Sequence, residues 1–249
     1  MKKNFIQRHT IWISLLVFCF MVVPNIRNGY AMETDHTPVL ALNNTKDKAT
    51  TSKKKVVLDP GHGGFDGGGE SSNGIIEKDV TLKIAKKVGA ILEKQQIEVI
   101  YTRSEDKVSW GGNSLDDLDE VKDLNERSKI ANASGATCFV SLHTNYSDIL
   151  QDEITGNEVW VKAEDEDSMN LAQDINAQFK KITKAENRGI KDQAMAPLQL
   201  LISNNVPSVL IETGFLSNNE EATYINSEEG ITTYANAIAN GILDYIQAA

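Results

Sequence analysis

Cysteine is almost absent from this chain, with two in 249 residues. Cys19 lies in an apolar run near the start and Cys138 lies inside "TCFVSLH". Once the first segment is processed away, no pair is left to form an internal disulfide, so the rest must rely on a hydrophobic core. Cys138, in its apolar setting, reads as a buried and inert thiol. Basic charge is also short. There are 25 Lys+Arg against 35 Asp+Glu, and the net charge of −10 makes nucleic acid a poor partner. Two catalytic signatures are missing as well. No GxSxG provides a serine nucleophile. The glycines of "GHGGFDGGG", residues 61–69, lack both a Gly-Lys-Ser/Thr ending and a GxGxxG opening a helix, which leaves phosphate binding as the weak reading of that loop. No internal repeat and no second folded module is visible.

What is present begins with an export signal. Lys2, Lys3 and Arg8 precede the apolar run "IWISLLVFCFMVV" at 11–23, and "NGYA" then ends in small residues. This layout predicts a signal peptide over residues 1–31, cut after Ala31. An uncleaved anchor is the alternative, although the run is short for a membrane-spanning helix. Phe18 is too bulky before Cys19 to suit a lipid-modified cysteine. Removing 1–31 takes away four basic and no acidic residues, leaving 21 against 35 and a net charge of −14. The expected location is extracellular or in a cell wall, with membrane contact only if the segment is retained. Residues 32–54 are polar, Thr/Lys/Asn-rich and without sustained periodicity, and read as a linker.

Residues 55–249 alternate apolar, β-rich runs with helical patterns. The runs are "VVLD", "IEVIYTR" at 97–103, "TCFVSLH" at 137–143, "NEVWVKA" at 157–163 and "SVLIETG" at 208–214. One helical stripe joins Val80, Ile84, Val88, Ile91 and Leu92, and another runs from Ile231 to Ile246. Further helices are expected at 123–134 and 167–183. The pattern predicts a single α/β domain whose mostly parallel sheet is flanked by helices on both faces. "AEDEDS" at 163–168 reads as a solvated turn and helix start, because it lacks the glycine and distal glutamate of a calcium loop. Trp110, in the loop "SWGGNS", could stack on a substrate, whereas Trp160 has core packing as its default.

The chemistry turns on histidine, of which there are four. His9 goes with the signal and His36 with the linker. His62 and His143 each follow an apolar strand at its carboxyl end, the edge of an open parallel sheet where ligands bind. One such histidine is unremarkable, but two, with no others in the domain, point to a shared site. Two imidazoles need a third protein ligand to make an open tetrahedral zinc site. Asp59, Asp66, Glu70, Glu77 and Glu212 are the acidic candidates, and spacing does not choose Glu77 over Glu70. Glu77 also suits a helix N-terminus electrostatically. Glu212 ends the apolar "SVLIE", where a carboxylate is costly unless paired or used. The glycines of 61–69 would let the backbone bend around a metal and leave room for a bulky substrate.

"VVLDPGHGG", "IIEKDVTLKIAKKV", "VIYTRSED", "LNERSKIANAS", "FVSLHTN" and "VPSVLIETGFLSNNEEA", in this order, resemble the zinc-dependent N-acetylmuramoyl-L-alanine amidases of the amidase 3 family. The likeness runs from residue 56 to about 247. It implies a mostly parallel sheet of about six strands, one Zn2+ held by His62, Glu77 and His143, and Glu212 as the catalytic carboxylate. It implies peptidoglycan as substrate, cut between the lactyl group of N-acetylmuramic acid and L-alanine. Asp59 and Asn145, beside the ligands in sequence, are candidates to support them. Some members carry a long inserted helix that blocks the metal. Here only short segments, 104–122 and 145–156, interrupt the elements, so built-in autoinhibition is not expected. With no wall-binding repeat, targeting falls to the domain, linker, anchor or a partner, and an activator protein is the second partner to consider. Two other readings stand beside this one: an inactive peptidoglycan-binding regulator of the same fold, and a zinc peptidase that cuts within the stem peptide.

Overall fold

The computed structural model describes residues 53–112, 120–192 and 198–248. The signal reading at 1–31 and nearly all of the linker at 32–54 lie outside them. The elements, in chain order, are β1 (Lys55–Pro60), α1 (Glu77–Lys94), β2 (Glu98–Tyr101), α2 (Glu120–Ala133), β3 (Cys138–Asn145) and β4 (Asn157–Val161). There follow α3 (Glu166–Phe179), β5 (Asn187–Asp192), α4 (Gln199–Ser203), β6 (Ser208–Phe215), α5 (Asn219–Asn226) and α6 (Glu228–Ala248). The strands form one sheet in the order β2-β1-β3-β6-β4-β5. All neighbours are parallel except β4 and β6. Among the described residues no helix is long and apolar enough to cross a membrane.

Alternation along the strands sends residues to two very unequal faces. Val56, Leu58, Val140, Leu142, Val159, Val161, Val209 and Ile211 enter the main core, together with the apolar stripes of α1, α3 and α6. Helix α6 packs against both α1 and α3. The other face carries a smaller apolar cluster, Val57 and Phe139 against Ala131 of α2 and Leu200 of α4. Toward the carboxyl ends of the strands this second face turns polar, with Asp59 beside Ser141, then His143 beside Glu212 and Glu212 beside Glu158. Helices do flank both faces, but the thin covering on this one leaves room for a site.

The five strands expected from the sequence are present, and β5 is the sixth. Its sequence, "NRGIKD", has one large apolar residue because an edge strand needs little burial. Helices α4 and α5 are too short to show a periodicity; Asn218 caps α5 by accepting from the Glu221 N–H at 3.0 Å. The acidic turn at 163–168 does start a helix, with Asp165 accepting from the Ser168 N–H at 2.9 Å. Cys138 is fully buried, which pushes its thiol up to about 12.

Candidate active site

His62 stands just beyond the end of β1, and its placement begins with Gly61. The Gly61 N–H donates to the Leu142 carbonyl at 2.9 Å, which stitches the loop to β3. A Cβ on Gly61 would lie 2.3 Å from the His143 ring. The space freed by this glycine is therefore filled by the second histidine rather than held open for substrate. His62 itself has φ +60°, a left-handed conformation that disfavours non-glycine residues.

Two buried arginines hold that turn by its carbonyls. Arg127 donates from Nη2 to the His62 carbonyl at 2.7 Å and from Nη1 to the Pro60 carbonyl at 2.8 Å. Arg103 donates from Nε to the Pro60 carbonyl at 2.9 Å and from Nη2 to the Gly61 carbonyl at 2.8 Å. Arg127 is neutralised by Asp59 and Asp123, each at 2.6 Å. Asp59 also accepts from Ser141 and Thr102. Burial opposes ionisation of Asp59, but Arg127 and these hydroxyls outweigh it and hold the carboxyl below its usual range. Asp59 thus supports the site through Arg127, by way of the loop that carries His62.

Glu77, the first residue of α1, puts its carboxylate between the two rings. The helix N-terminus that suits its charge is thus Glu77 itself. Oε2 lies 3.2 Å from His62 Nε2 and Oε1 lies 3.0 Å from His143 Nδ1. Backbone N–H groups of Gly69 and Thr144 donate to the same two oxygens at 2.8 and 3.0 Å. A Cβ on Gly68 would meet Glu77 Oε2 at 2.5 Å and the His62 ring at 2.6 Å, so this position too must be bare. Burial works against charge on Glu77, yet the flanking imidazoles hold its carboxyl far below the usual range. For His62, burial is outweighed by Glu77 and Asp66, which push it up to about 10. Asp66 Oδ2 lies 2.7 Å from His62 Nδ1 and fixes the ring from behind. Glu70 is exposed and pairs through its backbone with Ile76, away from the cluster.

Glu212 sits directly across from His143 on β6. Its Oε2 is buried and has no hydrogen-bond partner among the described residues. Burial, with Glu77 and Glu158 nearby, pushes its carboxyl well above the usual range. Glu158, the next residue across on β4, is buried but satisfied: it accepts from Asn145 Nδ2 at 3.1 Å, Trp160 Nε1 at 3.0 Å and Arg188 Nε at 3.1 Å. Asn145 therefore serves Glu158 rather than a ring. Trp160 is half-buried on the site's face with its indole N–H in use, which corrects its reading as a core residue. Trp110 has the ammonium of Lys122 5.3 Å from its ring centroid.

The donor set fits a divalent metal. Ligand atoms of His62, Glu77 and His143 lie within 4.8 Å of one another, and the ring centroids of the histidines are 5.0 Å apart. A carboxylate this deeply buried between two imidazoles requires positive charge at its side, which a proton on His62 or a cation supplies. Two nitrogens and one oxygen suit zinc with an open fourth position. Arg103, Arg127, Glu158 and Arg188 were not singled out from the sequence. The signal was there in part, as lone charges in or next to apolar runs, in "YTR" and "NEVWV".

Residues 56–244 match the family profile described as N-acetylmuramoyl-L-alanine amidase. The germination-specific N-acetylmuramoyl-L-alanine amidase of Bacillus subtilis is 33% identical over 195 residues, covering 78% of this chain and 80% of that protein. The structure of the CwlD amidase from Clostridioides difficile, solved in complex with the GerS lipoprotein, matches with a TM-score of 0.72 at 33% identity, over 79% of this chain and all of that one. The amidase AmiC2 of Nostoc punctiforme matches with a TM-score of 0.67 at 35% identity, over 79% of this chain and 98% of that one.

Proposed function

Because the chain belongs to the amidase 3 family of N-acetylmuramoyl-L-alanine amidases, enzymes of peptidoglycan, we propose that it is a zinc enzyme that hydrolyses the bond between the lactyl carbonyl of N-acetylmuramic acid and L-alanine. His62, Glu77 and His143 would hold one zinc ion. Zinc in such a site supplies Lewis acidity and activates water at neutral pH. The observation that carries the reading is Glu212: a buried carboxylate with an oxygen that has no partner among the described residues, next to a His-Glu-His cluster.

Glu212 Oε2 is free to accept the proton of the attacking water and to return it to the departing alanine amine. Its position beside other carboxylates favours holding that proton between the two steps. Asp66 keeps the His62 ring in place, and the Arg103–Arg127 clamp keeps the loop that carries it. The inactive-regulator reading has no observation in its favour, since none of the four site residues is replaced.

Export by residues 1–31 belongs to the same proposal, because peptidoglycan lies outside the cytoplasmic membrane. A protein activator is a further part of it, supported by the lipoprotein bound to the C. difficile relative. The test is mass spectrometry of purified peptidoglycan after incubation with the zinc-loaded protein, with Glu212→Ala as blank. Stem peptides with a free N-terminal L-alanine are expected only with the unsubstituted protein. Cleavage inside the stem instead would favour the peptidase, and no cleavage by a zinc-loaded, activator-supplied protein would favour the regulator.

A further inference from the structure

The cations nearest the metal cluster are spent on the protein itself. Arg103 and Arg127 donate to loop carbonyls, and Lys78 donates to the Gly64 carbonyl and to Asp106. Arg188 is different. It stands on β5, the edge strand, and points to the same face as Glu158, with its Nε held by that carboxylate at 3.1 Å. Its guanidinium lies 5.3 Å from the Phe215 ring centroid, and 30% of the side chain is open to solvent. Among the described residues Nη1 reaches only the Thr155 carbonyl, at 3.5 Å, and none accepts from Nη2. A planar fork with one edge fixed and the other facing out is suited to a carboxylate.

The order of side chains across the sheet says which part of the substrate arrives there. From β3 through β6 and β4 to β5 the face carries His143, Glu212, Glu158 and Arg188. Glu212 gives its proton to the leaving amine, so the peptide departs on the Glu212 side of the metal and extends toward β4 and β5. Two strand spacings beyond β6 amount to about 10 Å. Arg188 shortens this by reaching back over β4 to Glu158. In a stem peptide the second residue is joined through its side-chain carboxyl, which leaves its α-carboxylate free unless the wall is amidated. Without Arg188 that charge would approach Glu158 and Glu212, two carboxylates.

On the amidase reading above, we propose that Arg188 is a specificity-determining residue that binds the free α-carboxylate of the second stem-peptide residue. Glu158, fixed in turn by Asn145 and Trp160, is the positioning residue that aims the fork. An amidated second residue would forfeit the charge-assisted bond.

The test compares two synthetic N-acetylmuramoyl peptides that differ only in a carboxylate or a carboxamide at the second residue, using the zinc-loaded full chain, Arg188→Gln and Arg188→Lys. The unsubstituted protein should prefer the carboxylate in kcat/KM on the order of tenfold, chiefly through KM. In Arg188→Gln that ratio should fall toward one, and Arg188→Lys should restore part of it. If Arg188 only neutralises Glu158, the glutamine variant will lose activity on both substrates alike and keep the ratio; that result overturns the proposal. So does a ratio of one in the unsubstituted protein, which needs no variant to fold. Release of L-alanine peptides from neither substrate, with the activator supplied as in the test above, would instead count against the amidase reading itself.

Discussion

His143 and Glu212 face each other across β3 and β6, one a member of the His-Glu-His cluster and the other a buried carboxylate with an oxygen left unbonded among the described residues. The parallel register that pairs them is set by the buried runs just before, where Val140 pairs with Val209 and Leu142 with Ile211. A slip of one residue in either strand would turn that strand's site residue into the main core. The same alternation that buries the valines thus delivers the site to the opposite face.

Glu212→Gln keeps the shape and removes the base. Turnover on muropeptides should fall on the order of 10²-fold or more, while zinc content stays near one per chain. The metal-free variant should also melt at a higher temperature than metal-free unsubstituted protein, because a buried carboxylate near Glu77 and Glu158 has been neutralised. Metal analysis, kinetics and calorimetry of one preparation check all three. A large loss of zinc would mean that Glu212 is a ligand rather than a proton carrier.

Gly61→Ala should displace the His143 ring, since the added Cβ would lie 2.3 Å from it and the ring is held at Nδ1 by Glu77. Overpacking of this kind costs about 1–3 kcal/mol in stability. Zinc affinity, measured by competition with a chelator, should fall more than tenfold, on the order of what displaced ligands lose. Gly67→Ala is the control, because a Cβ there meets only Ile76 at an ordinary 3.5 Å. It should leave affinity close to that of the unsubstituted protein.

The fold was legible where burial is complete. β1, β3 and β6 read as continuous apolar runs because they are covered on both faces, and the stripes of α1 and α6 follow from packing on the main core. β5 was not legible, since an edge strand with Arg188, Gly189 and Lys191 has no pattern to show. Within the site, His62 and His143 stood out as lone imidazoles at strand ends. Glu77 did not separate from Glu70 by spacing; resemblance made that choice, and the fold puts the Glu77 carboxylate between the rings. Arg127 and its bond to the His62 carbonyl lie 65 residues apart in sequence, and nothing local announces the pair. Glu158 could have been flagged as a charge in an apolar strand, but its three donors come from residues that only the folded sheet brings together.

Asp66→Asn addresses the ring from behind. The carboxylate 2.7 Å from His62 Nδ1 fixes the orientation in which Nε2 faces Glu77. An amide makes a weaker partner and can present the wrong atom. Zinc affinity should drop on the order of 10- to 100-fold, with turnover recovering as zinc is added in excess. Turnover that stays low at saturating zinc would place Asp66 in the chemical step.

Asp59→Asn tests whether the arginine clamp depends on its buried counter-charge. Asp59 is fully buried against Arg127, so neutralising it leaves Arg127 with Asp123 alone and should destabilise the protein by about 3–5 kcal/mol, the usual cost of breaking a buried pair. The pH dependence follows from the sign of the shift. The folded protein holds the Asp59 carboxyl below its ordinary 3.8, so the stabilisation is fully present above that pH and is lost as pH falls through the depressed folded value. Denaturant unfolding from pH 7 down to pH 2 should therefore show the unsubstituted protein losing its advantage over Asp59→Asn only in the acid range below about 3.8. An advantage that is constant with pH would mean that Asp59 acts through shape and hydrogen bonding, with its charge contributing nothing to the clamp.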